Sequence, residues 1–149
     1  MTQTTVFIGD SVTDCGRLNL PPYGDGYVRD IVNSGNQAVS PQLYVQLVRD
    51  GNKPVGESSF YSTFTGPAVY TGSKKYQKVE FADIKKKKVD VEKQSNTGYI
   101  AMVQHYFASA WILPDGMSRD ISLDAVDIGA AVPDCCYRVT AIAPLETIK

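Results

Sequence analysis

The chain has 149 residues, 15 Lys plus Arg against 16 Asp plus Glu, a formal net charge of −1 and 43% hydrophobic residues. That length lets one domain, residues 1–149, bury a core without staples, and the near-neutral balance excludes the basic field that draws nucleic acid or an anionic membrane. The opening MTQTTVFIGDS lacks a basic stretch leading into a long apolar one, and no run approaches the roughly 18 apolar residues of a membrane span, so the sequence as written reads as cytoplasmic and without a membrane span.

In chain order, TTVFI at 4–8 is a β-branched and aromatic run that stops at Gly9, as a buried strand entering a turn would. After Pro21-Pro22, the spacing of Tyr27, Val28, Ile31 and Val32 predicts a short helix over 27–33, stopped at Ser34-Gly35-Asn36. QLYVQLVR alternates Leu43, Val45 and Leu47 against Gln42, Tyr44 and Gln46, which predicts a strand over 42–49. Asp50-Gly51 then suits a tight hairpin turn. Further strand-like pieces follow, broken at Gly66-Pro67 and Gly72-Ser73.

The lysine run 85–88, beside Asp83, Asp90 and Glu92, is most economically a solvated turn or charged strand end. Residues 99–113 form one long apolar-aromatic segment, read as strand and closed by Pro114-Asp115-Gly116. Pairing of 42–49 with 99–112 in one antiparallel sheet is expected, because both are alternating runs bounded by turn signals. In the tail, CCYRVTAI is the best strand candidate, with Pro133 and Pro144 as breaks.

Three cysteines, Cys15, Cys135 and Cys136, and a single histidine, His105, give no conventional set of metal ligands, so no metal and no cofactor is expected and the thiols read as free and reduced. His105, Tyr106, Phe107 and Trp111 read as core and strand residues.

TVFIGDSVTDCGR with the downstream Gly24-Asp25-Gly26-Tyr27 resembles the first block of the SGNH (GDSL-type) hydrolases over residues 4–34. That resemblance implies a parallel α/β opening with Ser11 as nucleophile and its own N–H as one oxyanion donor, and His105 is the only histidine that could serve as base. The family's Gly-x-Asn-Asp and Asp-x-x-His blocks have no counterpart: Asn36 and Asn52 directly follow glycines, and Met102 stands three residues before His105. A serine without its base and second oxyanion donor loses several orders of magnitude in rate.

Residues 40–112, with FYSTFTGPAVYT, KYQKVEF and GYIAMVQHYFASAWI, resemble the periplasmic domain of the YidC membrane protein insertases. This resemblance implies an antiparallel β-sandwich of the supersandwich type and a periplasmic location. It also implies an accessory role that contacts hydrophobic polypeptide or translocon components, because the insertase's membrane-embedded helices are not in these residues.

Together these readings predict a mainly β, antiparallel, sandwich-like fold with a short α/β-like N-terminal piece. Residues 1–38 form the hydrolase-like opening, 39–116 the insertase-like β region and 117–149 a β-rich tail without assignment. The leading function is a noncatalytic binding module of an insertase's periplasmic domain, with roles in protein transport or as a chaperone. The alternatives are a serine esterase using Ser11 and His105, and a chimeric or artificial chain without natural function.

Overall fold

The computed structural model describes residues 2–8, 26–32, 36–54, 60, 63–126 and 136–148. Two compact units divide the chain: Met1–Pro41 with Leu145–Lys149, and Gln42–Pro144.

In the first unit, β1 (Thr2–Ile8) pairs antiparallel with β2 (Gly26–Val32), Thr2 opposite Val32 and Ile8 opposite Gly26. The helix expected over 27–33 is a strand at 26–32, and the described part of the α/β-like opening is an antiparallel pair. Two β-branched valines, an isoleucine and a tyrosine in seven residues favour a pleated surface, and a helix of that length is marginal without packing. An isolated bridge joins Val39 to Ile148, with N–H···O distances of 3.0 and 2.9 Å.

The second unit carries two four-stranded antiparallel sheets. One has the order β3 (Gln42–Arg49), β10 (Tyr137–Pro144), β9 (Arg119–Ala125), β6 (Gln94–Ser95). The other runs β5 (Lys75–Lys78), β4 (Gly66–Thr71), β7 (Tyr99–Gln104), β8 (Phe107–Ile112). The strand expected over 42–49 is β3, and the strand expected within CCYRVTAI is β10. The segment 99–112 is strand throughout except for a turn at His105–Tyr106, which folds it into the β7–β8 hairpin.

The expected pairing of 42–49 with 99–112 does not occur, because they lie in different sheets. Each alternating strand has one apolar face, and the two faces meet across the interior instead of edge to edge. Val45, Ile121, Val139, Ala141 and Ala143 from one sheet and Val69, Ile100 and Met102 from the other form one core. Each valine, isoleucine or methionine among them contributes about 1.5–3 kcal/mol when taken out of water, each alanine about 1 kcal/mol or less. Among the described residues Asp50-Gly51 likewise ends β3 without a hairpin, and the neighbour of β3 is β10, with Val139 opposite Leu47 and Ala141 opposite Val45.

A second cluster closes one end: Val79, Ile84 and Tyr137, with Phe81, Val89, Val91 and Leu123 against it and the Phe81 and Tyr137 rings 4.5 Å apart. Ile84 belongs to the single short helix among the described residues, α1 (Phe81–Lys85). A five-residue helix has no stability of its own, so its end matters. Lys87 N–H bonds to Ile84 O (3.0 Å) and Lys88 N–H to Asp83 O (2.9 Å), the two bonds of a Schellman turn, with Lys87 at φ 55° in the left-handed position where glycine is favoured. The lysine run is thus a solvated turn, as its charge pattern indicated. Lys87→Gly is expected to raise the unfolding free energy by about 0.5–1 kcal/mol, read as a higher urea midpoint at unchanged slope.

Candidate functional site

The β7–β8 hairpin leaves β8 at the rim of its sheet, with β7 on one side and, among the described residues, no strand on the other. Its sequence, FASAWI, contains no charge and no proline. Sheets usually protect such a rim with lysine, proline or a bulge. Phe107 is 72% and Ile112 74% exposed, and Tyr106 in the turn is 83% exposed, so the edge is an apolar strip facing solvent.

Beside it lies a cleft of about 290 Å³ between β3 and the hairpin, lined by Leu47, Arg49, Met102, Gln104, Phe107 and Ser109. The Arg49 guanidinium donates to the Gln104 side-chain oxygen, tying the two sheets together at its mouth. Trp111 is the one aromatic of the hairpin's second strand to turn inward. It is half-buried against the core and donates from Nε1 to Gln46 O at 3.3 Å.

The expectation that His105, Tyr106 and Phe107 sit in the core is overturned. The turn falls on His105–Tyr106 and lifts both to the tip, while Phe107 begins a strand whose burial is low along most of its length. His105 is exposed, its Nδ1 shares a hydrogen bond with Thr63 Oγ1, and its ring stands edge-on to Tyr106 at 3.7 Å between centroids. Ser11, the other half of the serine-hydrolase reading, lies outside the described residues.

Cys15 and Cys135 also lie outside them. Cys136 is disulfide-bonded, which corrects the expectation of free thiols at that position. Among the described residues, no three His, Cys, Asp or Glu side chains converge as a metal site, and no helix is long and apolar enough to cross a membrane.

The most elaborate polar arrangement is structural, and sequence reasoning missed it. Arg119 is 1% exposed on the inward face of β9, two residues before Ile121. Its guanidinium donates to the carbonyls of Gly98 (2.9 Å), Asn96 (3.2 Å), Leu113 (3.3 Å), Pro114 (2.5 Å) and Met117 (2.6 and 2.9 Å). It thereby holds together the chain entering β7, the chain leaving β8 and the start of β9. Burial pulls its pKa down, and nearby Asp115 partly offsets this. The usable signal was the alternation in RDISLDA, which places Arg119 on the same face as Ile121 and Leu123.

Other charged groups are engaged on the surface. Asp124 is held twice by Arg138, raising the arginine's pKa mainly through that hydrogen bond. Ser73 Oγ donates to Glu92 at 2.6 Å and holds that carboxyl below its usual range, and Lys74 pairs with Asp90 at 2.5 Å.

Residues 23–149 match the family described as the YidC periplasmic domain. The match takes in Gly24-Asp25-Gly26-Tyr27, residues also claimed by the hydrolase resemblance. Among curated proteins, the chain is 52% identical over 116 residues to a membrane protein insertase YidC of Cupriavidus taiwanensis, covering 78% of this chain and 20% of that protein. Over 126 residues it is 53% identical to the namesake of Bordetella avium, covering 84% of this chain and 22% of the relative. The Bordetella parapertussis protein of the same name is 48% identical over 136 residues, 91% of this chain and 24% of the relative. The chain therefore spans roughly a fifth to a quarter of the length of these relatives. The cytoplasmic expectation finds no support in a family defined by a periplasmic domain. With antiparallel sheets throughout its described strands and a match running from Tyr23 to the last residue, the chain belongs to the YidC periplasmic domain family.

Proposed function

We propose that this chain is a noncatalytic polypeptide-contacting module on the periplasmic side of a membrane protein insertase, and that it offers the β8 edge to an extended apolar stretch of a client or translocon chain. The observation that carries the reading is the uncharged, solvent-facing edge strand Phe107–Ile112, flanked by the cleft that Met102 and Phe107 line. An extended chain adding to such an edge gains main-chain hydrogen bonds, and its alternate side chains meet Phe107, Ile112 and the cleft. A disulfide at Cys136 supports placement in an oxidising compartment such as the periplasm. Belonging to a family named for an insertase's periplasmic domain supports the same placement.

The test is titration of a fluorescently labelled, uncharged peptide of alternating valine and threonine against the chain and against Ala108→Lys/Ala110→Lys. Both alanines are exposed, so the variant should keep its thermal midpoint while its charges guard the edge. Binding at least tenfold weaker in the variant is expected. Equal binding by both proteins would remove β8 as the contact surface.

A further inference from the structure

A second edge, on the other sheet, has a different chemistry. β6 covers β9 only at Asp120 and Arg119, and the Ile121 N–H reaches Lys93 O at 2.7 Å. Beyond that, among the described residues, nothing pairs with β9 on this side. The bonding phase of the strand is set by Val126 and Cys136, which exchange both backbone bonds at 3.0 and 2.8 Å. In an antiparallel ladder such pairs alternate with pairs whose N–H and C=O point away from the partner. Asp124 and Ser122 therefore bond to β10, whereas the N–H and C=O groups of Leu123 and Ala125 point outward, in the phase of Ile121.

They face a groove of about 510 Å³ whose opposite wall is α1 and the segment after it. The floor is apolar, with Ile84, Val91 and Ile121 among its residues, and Lys87 and Lys93 stand on the rim. Of the acidic side chains near it in sequence, Asp90 pairs with Lys74, Glu92 accepts from Ser73, Asp120 from Gln94 and Asp124 from Arg138, while Asp83 lies in the first turn of α1. Lys87 keeps its place on this rim at the left-handed position of the Schellman turn, where glycine would fit without strain.

We propose that the groove between α1 and the open stretch of β9 binds an extended acidic polypeptide segment by strand addition. The segment's backbone pairs with Leu123 and Ala125, its apolar side chains enter the floor, and its carboxylates meet Lys87 and Lys93. A flat membrane surface fits less well, because the unpaired backbone and the apolar floor lie inside a concave groove. The site is separate from the β8 edge in sheet, charge and ligand, so either assignment stands without the other.

The experiment uses the 149-residue chain. The probe is an acetylated peptide alternating valine and glutamate, and a valine–lysine counterpart is the control. We expect the acidic peptide alone to bind, with affinity falling as salt rises, and amide hydrogen exchange at Leu123 and Ala125 to slow in its presence. Lys87→Glu/Lys93→Glu should weaken binding at least tenfold. Ala125→Pro should do the same, since it removes an outward N–H that β10 does not use. If the proline variant does not fold, exchange at the two amides of the unaltered chain carries the test alone.

Equal binding of the lysine peptide, or unchanged exchange at Leu123 and Ala125 when the acidic peptide is bound, would overturn the proposal. So would retention of the chain on phosphatidylglycerol vesicles that displace the peptide and leave both amides unprotected. That last result would assign the lysines to a lipid surface.

Discussion

Arg119→Met is expected to lower the unfolding free energy by about 3–5 kcal/mol, because several buried carbonyls lose their donor at about 1–3 kcal/mol each and water restores only part of that. Methionine nearly fills the space of the arginine stem and offers no donor. The carbonyls of Asn96, Gly98, Leu113, Pro114 and Met117 would then lie around an apolar tip. Each unpaired buried carbonyl costs on the order of 1–3 kcal/mol, reduced wherever water enters. Arg119→Lys keeps the charge but provides three donors from one point in place of the planar fork, and should fall between the two. Urea unfolding of the three proteins at neutral pH decides the matter. A loss below about 1 kcal/mol for the methionine variant would mean that solvent satisfies these carbonyls and that the arginine is not the clamp.

Gly98→Ala is the companion case and should cost at least about 3 kcal/mol, since steric and backbone effects add at one residue. Gly98 has φ +101°, and a Cβ there would lie 1.9 Å from the carbonyl oxygen of Tyr70. That atom is backbone of a central strand, so no side-chain rotation relieves the clash. A useful contrast is Gly116, at φ +86° with nothing within 4 Å of its Cβ position, where alanine meets only the left-handed penalty of about 1–2 kcal/mol. Because the Gly98 carbonyl is itself an Arg119 acceptor, the double variant Arg119→Met/Gly98→Ala should lose less than the two single losses added together. Strict additivity would show that the two residues do not share one joint.

Much of the fold was legible as period-two patterning. Leu43, Val45 and Leu47 marked β3, and the apolar content of 99–113 together with Pro114-Asp115-Gly116 marked strand and its end. Partner choice was not legible, because one amphipathic pattern suits both a neighbour in the same sheet and a facing strand in the other. The interior needed the latter for β3 and β7. Tyr27 to Val32 failed for a related reason: a short apolar cluster satisfies both periods, and β-branching was the better arbiter. At the candidate edge, the residues of FASAWI were visible, but their exposure depended on a turn at His105–Tyr106 that no glycine, proline or asparagine announces. The outward phase of Leu123 and Ala125 is a property of backbone pairing and leaves no trace in side-chain types.

The partnership of β3 with β10 also bears on how the molecule is made. Gln46 and Thr140, hydrogen-bonded across these strands, are 94 residues apart in sequence. At roughly 5–20 residues per second, a ribosome that has finished β3 needs about 5–20 s more before its neighbour exists. During that interval Leu43, Val45 and Leu47 lack their ladder, and until Ile112 has been added they lack a complete facing sheet as well. A nascent chain of this kind is at its stickiest well before it is complete, and its yield in a cell should depend on what shields the first strand of the sandwich while the last is still being synthesised.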